Sequence, residues 1–258
     1  MKKTIIAAGI ATLLTASVQA DTLLGLYLGA HIWDVEATGS IGEKNGTSGD
    51  VISQEFNFDD QQQGSFYIAL EHPIPLIPNI KISSTVLDTD GQTNITEADF
   101  SFGNISYPVN TAVDTVFDVD YVDYTFYYEI IDNDLLTFDV GITARDIDGN
   151  ISVTDDAGVL SISDEKFSAI VPMLYGSAII GLPFTGFNVF AQGNYTGYDD
   201  SSIYDFQAGV SYAVLDNLAV DLNVELGYKV VKMEIEDIDD VYADMEFKGL
   251  YLGATVHF

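Results

Sequence analysis

The chain has 258 residues, with 40 acidic and 9 basic side chains, a formal net charge of −31 and no cysteine. That balance excludes phosphate contact with nucleic acid and polybasic attachment to anionic lipid, since both need clustered cations. Without cysteine there is neither a disulfide framework nor thiol chemistry.

The first predicted element is a secretory signal. The segment "MKKTIIAAGIATLLTASVQA" opens on Lys2 and Lys3, runs through a short apolar stretch from Ile5 to Leu14, and places Val18 and Ala20 where a signal peptidase reads small residues. The apolar stretch is too short for an anchoring helix. Residues 1–20 are assigned to this signal and 21–258 to the mature domain; losing Lys2 and Lys3 moves the net charge from −31 to −33. Further on, the longest apolar run, 169–180, carries Pro172 and Gly176 and is also too short to span. An exported chain with 15 Tyr, 15 Phe and 22 Gly but no spanning helix fits strands closed into a membrane barrel.

Period-two alternation then predicts strands at 24–34, 64–71, 80–87, 121–131, 136–145, 167–180, 187–198, 204–214, 218–232 and 245–258. The cleanest sets Val220, Leu222, Val224, Leu226 and Tyr228 against Asp221, Asn223, Glu225, Gly227 and Lys229. One parity suits lipid and the other a polar lumen. Short turns at 72–78, 132–134, 181–186 and 215–217 alternate with polar loops at 37–63, 88–113, 146–165, 199–202 and 233–243. The predicted class is all-β: a closed antiparallel transmembrane β-barrel of about ten strands. Eight and twelve are the alternatives, because 88–113 could hide a further hairpin. Short turns inside and long loops outside would leave both termini periplasmic. A soluble lipocalin-like barrel is the competing architecture. Against it, Tyr128, Tyr212 and Phe258 at the turn side and Phe167, Tyr204 and Tyr228 at the loop side suggest two interfacial girdles. The opposite parity also carries charges that a lipocalin cavity rarely holds.

The mature start Ala20–Tyr27 ("ADTLLGLY"), the turn Gly181–Gly186 ("GLPFTG") and the end Tyr251–Phe258 ("YLGATVHF") resemble a family of small outer-membrane β-barrel proteins of Gram-negative bacteria with no characterised activity. The resemblance implies location and fold and transfers no functional residue. A terminal Phe258 behind alternating apolar residues resembles the signal that the barrel assembly machinery reads. Likeness to outer-membrane protein W is fold-level analogy.

On the lumen parity, Glu71, Lys81, Asp123, Glu129, Asp139, Arg145, Asp205, Asp221, Glu225 and Lys229 form a predicted charge network. It reads either as filling of a narrow interior or as the lining of a small cation-preferring pore. Acidic residues in the loops, Asp146, Asp148, Asn150, Asp155, Asp156, Asp237, Asp239 and Asp240, are candidates for weak Ca²⁺ or Mg²⁺ binding and for bridging to lipopolysaccharide. The stretch 146–150 resembles the start of a calcium loop, but its Gly149 falls early and no Glu closes it. No other cofactor is expected, and the sequence sets no oligomeric state. His31, with Trp33 and Asp34 nearby, is the one histidine on the lumen parity in the loop-side half of its strand. No nucleophile pairs with it, so an enzyme is not expected. The function expected is a porin-like barrel, possible as a narrow pore for ions or small solutes. The alternative is a non-conducting structural or surface-interaction barrel whose acidic loops bind cations, lipopolysaccharide or a partner.

Overall fold

The structure, a computed structural model, describes residues 24–44, 51–96, 100–103, 105–133, 135–155, 163–199, 201–217, 219–238 and 241–258. The predicted signal segment, Asp156, Asp239 and Asp240, and the side chain of Asp237, lie outside the described residues. The strands are β1 (Gly25–Lys44), β2 (Val51–Phe56), β3 (Gln61–Glu71), β4 (Asn79–Asn94), β5 (Phe100–Phe102), β6 (Ile105–Tyr107), β7 (Ala112–Asp132), β8 (Leu136–Asp155), β9 (Ser163–Leu182), β10 (Phe187–Tyr198), β11 (Ser201–Asp216), β12 (Asp221–Ile238) and β13 (Val241–His257).

Ten of them close a barrel. The antiparallel order is β1, β3, β4, β7, β8, β9, β10, β11, β12, β13, and β13 pairs back onto β1. Closure leaves no edge along this seam. It reaches the last residue: Phe258 N–H donates to Leu26 O at 2.9 Å and Leu26 N–H to Phe258 O at 3.2 Å. Higher on the seam, a side-chain carbon at Gly249 would press into the Asp34 carbonyl, so only glycine fits. The twelve-strand alternative is corrected. Residues 88–113 do hold a hairpin, β5–β6, but it pairs only with itself and stays out of the wall. Its Phe100, Phe102 and Tyr107 are fully buried, and Tyr107 Oη donates to Val153 O at 2.7 Å.

The strands cross two environments, and the polarity of their faces exchanges partway along. In β7 the inward residues are Tyr127, Thr125 and Asp123, then Tyr121, Val119, Phe117 and Val113. The outward ones are Tyr128, Phe126, Tyr124 and Val122, then Asp120, Asp118, Val116 and Asp114. Parity never slips along this stretch; polarity inverts between Val122 and Tyr121. β8 inverts between Arg145 and Asp146, β12 between Val230 and Val231, and β13 between Leu250 and Lys248. In β1, outward Leu28, Ala30 and Ile32 give way to Asp34 and Glu36, while inward His31 gives way to Trp33, Val35 and Ala37. The half toward the short turns is apolar outside and polar inside, as lipid demands. The half toward the long loops is polar outside and apolar inside, as water demands.

The sequence-based loops are corrected by the same observation. Much of 37–63, 88–113, 146–165 and 233–243 is strand, continuing beyond the bilayer. Barrel strands need about nine to eleven residues to cross, whereas β7 has 21 and β8 and β9 have 20 each. Asp146, Asp148 and Asn150 stand on β8 with outward parity, not in a calcium-type loop, and Asp155 is buried with inward parity. Phe167 is also corrected. It lies on the inward parity of β9, partly buried against the apolar core, and is no part of an outer girdle.

Candidate functional site

The interior is built in layers. At the turn end is a polar cavity of about 250 Å³ lined by Glu71, Lys81, Tyr127, Glu129, Asp132 and Asp139, among others. Tyr127 Oη donates to Glu71 at 2.8 Å, and Asn79 Nδ2 donates to Glu129 at 3.1 Å. Asp139 is buried and its Oδ1 has no protein donor. A neighbouring cavity of about 180 Å³ is lined by Tyr27, His31, Gln207 and Glu225. There Thr255 donates to Glu225, Tyr67 and Thr255 hydroxyls meet at 2.8 Å, and His31 Nε2 lies 3.2 Å from Glu225 without the alignment of a hydrogen bond.

Above these cavities, the barrel is crossed by a fixed ion cluster. Asp123 and Arg145 are direct cross-strand partners on β7 and β8. The Arg145 guanidinium donates to both Asp123 oxygens, at 2.7 and 2.8 Å, and also to Asp205 on β11. Its flat face lies 3.9 Å from the centre of the Tyr121 ring. Asn194 Nδ2 donates to Asp205 at 3.1 Å. The geometry toward Asp123 is bidentate and two carboxylates flank one guanidinium, the pairing and hydrogen bonding a buried arginine needs. Lys229 sits over Trp33 at 4.9 Å, and Lys81 over Tyr67 at 4.5 Å with Gln192 accepting at 3.1 Å.

Toward the loops the lumen becomes an apolar core. Val35, Ile41, Leu87, Val113, Val119, Val231, Met245 and Phe247 are buried there, and the Phe117 and Phe247 rings lie 5.6 Å apart. The predicted network is thus partly assembled. Asp123, Arg145 and Asp205 form one unit, and Glu225, Glu71 and Glu129 find separate partners. Asp221 stands apart at the turn-end rim, 3.3 Å from His257. The inward aromatics Tyr67, Tyr121, Tyr127, Tyr175 and Tyr251 were absent from the predicted network, although their parity on the same strands marked them as inward.

On the outside, where the apolar belt ends, carboxylates face one another across strands. Asp88 opposes Asp118, and Asp120 opposes Asp148. Burial, then the hydrogen bond and charge of Asp118, push the Asp88 carboxyl up to about 6. Burial, then Asp118 and Asp148, also raise Asp120.

No family model matches the chain, and no curated protein matches it in sequence. In structure it is similar to the outer membrane protease OmpT from Escherichia coli, with a TM-score of 0.54 at 9% identity over 95% of this chain and 98% of that one. More remote likenesses are the translocator domain of the autotransporter NalP from Neisseria meningitidis (TM-score 0.44, 8% identity, 98% of this chain and 94% of that one) and Ail of Yersinia pestis (TM-score 0.33, 11% identity, 92% and 99%). At 9% identity the likeness to OmpT carries the architecture and nothing finer. Ten closed strands, a lipid-suited belt and this likeness agree: the chain has the fold of the outer-membrane β-barrels.

Proposed function

We propose that the protein is a non-conducting outer-membrane barrel, with both termini periplasmic, that acts through the acidic collar above its apolar belt. The collar gathers divalent cations and through them the anionic headgroups of lipopolysaccharide. The observation that carries this reading is the two cross-strand pairings of aspartates, Asp88 opposite Asp118 and Asp120 opposite Asp148, just above the apolar belt. Like charges placed directly opposite repel one another. A shared cation removes that repulsion and joins the collar to phosphates of the same sign. Among the described residues no three His, Asp or Glu side chains converge on one metal site. The cations of this reading are therefore exchangeable and shared with lipid, not resident.

Two features support the non-conducting part against the narrow pore. The Arg145 cluster stands across mid-lumen, and ions above it would have to pass a packed and mainly apolar core. A binding protein, not an enzyme, fits the position of His31 beside Glu225 and below that core. Phe258, bonded into the seam, fits a role as the assembly signal.

The test is calcium calorimetry on the mature chain in bilayers with and without lipopolysaccharide, together with planar-bilayer conductance. Lipopolysaccharide-dependent calcium binding that Asp118→Asn with Asp120→Asn weakens, in a silent barrel, is expected. Calcium binding indifferent to both substitutions would sink the collar; steady cation-selective current would restore the pore.

A further inference from the structure

Among the described residues the barrel wall is incomplete at its loop end. β10 stops at Tyr198 and β11 starts at Ser201. β9 is paired to β10 only up to Leu174, opposite Tyr195, and β12 to β11 only up to Glu234, opposite Ser202. Beyond those points β9 continues to Ser163 with β8 as its one described strand partner, and β12 continues to Ile238 with β13 as its one. A side window therefore stands between β9 and β12, with the β10–β11 tip as its sill. The sill is tied to β12, where Glu236 N–H donates to Ser201 Oγ at 3.0 Å.

Behind the window is a cavity of about 120 Å³, walled by Phe117, Ile151, Phe167, Ile203, Met233 and Met245, with Ala169 and Ala243 also facing it. Water in so apolar a space would lack hydrogen-bond partners, and an engineered cavity of about 150 Å³ with similar walls stays dry and takes up benzene. This one holds an apolar group of about four to six carbons on that scale.

Lys166 stands on the rim of the cavity. The other basic side chains described are engaged. Arg145 binds Asp123 and Asp205, Lys81 binds Gln192, Lys229 covers Trp33, Lys232 binds Asp244 and Lys248 binds Glu246. No acidic side chain that the structure describes pairs with Lys166; the side chains of 163–165 lie outside the described ones. On a surface dominated by carboxylates, a cation at the mouth of an apolar cavity selects a guest with a negative head and a greasy tail. The outer face below the window is apolar as well: Ile170 is 73% and Leu174 67% exposed.

We propose that the window and cavity form a binding site for a monoanionic amphiphile of the alkyl-carboxylate class. The end of the alkyl chain enters through the window to lie among Phe167, Ile203 and Met233. The head stays outside against Lys166, and the intervening methylenes lie along the window edge. Collar carboxylates take no part, so the site stands or falls separately from the cation reading.

The experiment titrates decanoate and, separately, decanol into the mature chain held in lipid nanodiscs, in chelator, with empty nanodiscs as the blank. Saturable decanoate binding above the blank is expected, as is a loss on the order of tenfold in Lys166→Glu with decanol little changed. Ala243→Phe, which fills the cavity, should abolish both. If that variant does not refold, Ala169→Phe at the more exposed edge gives the same readout. Decanoate uptake no greater than the blank would overturn the proposal. So would decanoate binding unchanged in Lys166→Glu, or undiminished in the filled variant.

Discussion

Asp123 and Arg145 face each other across β7 and β8 and meet in a two-point ion pair at 2.7 and 2.8 Å, with both side chains buried. Asp205 completes the unit from the other side of the lumen. Removing the guanidinium leaves buried Asp123 and half-buried Asp205 without their ion-pair and hydrogen-bond partner, the costly half of breaking a buried pair. Arg145→Ala should destabilise the barrel by about 3–5 kcal/mol, read as a lower urea midpoint at unchanged slope. Arg145→Ala combined with Asp123→Asn and Asp205→Asn should recover much of it. A triple variant no more stable than the single one would mean that packing of the guanidinium on Tyr121, not charge, holds the unit.

The inversion of polarity along β7 gives a paired test within one strand. Val116 and Phe126 have the same outward parity and similar exposure. Phe126→Lys places a charge in the apolar belt and should cost about 2–4 kcal/mol at mid-depth. Val116→Lys lies among Asp114, Asp118 and Gln92 and should be neutral within about 0.5 kcal/mol. Refolding yield and urea midpoint in phosphatidylcholine vesicles measure both. Equal penalties would place the belt boundary elsewhere.

At the seam, Gly249 passes close to the Asp34 carbonyl. Gly249→Val should block closure of β13 on β1, leaving a species that no longer shows the heat-modifiable gel shift of a closed barrel. Gly64, on the outward parity of β3, has open space where a side chain would go, so Gly64→Val is the matched control and should close normally.

The collar predicts a pH dependence. Asp88 is raised from 3.8 to about 6 by burial and by Asp118. A carboxyl that holds its proton more tightly when folded stabilises the fold at low pH, and that contribution is lost as pH rises from about 4 through about 6. Stability should therefore decline across that window, and Asp118→Asn should flatten this component. The comparison is wild type against variant in denaturant midpoints at pH 4.5 and 7.5. Parallel curves would show that the two aspartates are not linked.

The membrane half of the barrel was readable from the sequence because its alternation is the one a lipid-facing strand must have. Tyr124, Phe126 and Tyr128 against Asp123 and Tyr127 left little choice. The upper half is hidden by the assumption that apolar residues mark the lipid parity. Asp114 to Asp120 alternate with the roles reversed, save for inward Thr115 and outward Val116. The same assumption turned Asp146 and Asp148 into loop ligands and put Phe167 on the wrong face. Lumen parity named both Asp123 and Arg145, but their partnership depends on register. That register includes an irregularity between Glu129 and Ile131, which no periodicity reports. The side window was hidden for another reason: it is made by the brevity of β10 relative to β9 and β12, a difference between strands rather than a property of any one.

The exchange of faces also sets a waterline. Ile32, Val122 and Ala144 end the unbroken apolar outward runs on their strands, and Asp34, Asp120 and Asp146 follow two positions later. Sinking by one such step, about 6–7 Å along a strand, would drag a ring of carboxylates into hydrocarbon. Rising by the same step would wet Phe126 and Tyr124. The molecule has a single draught in the bilayer. Whatever meets its upper half meets it at a fixed height above the lipid.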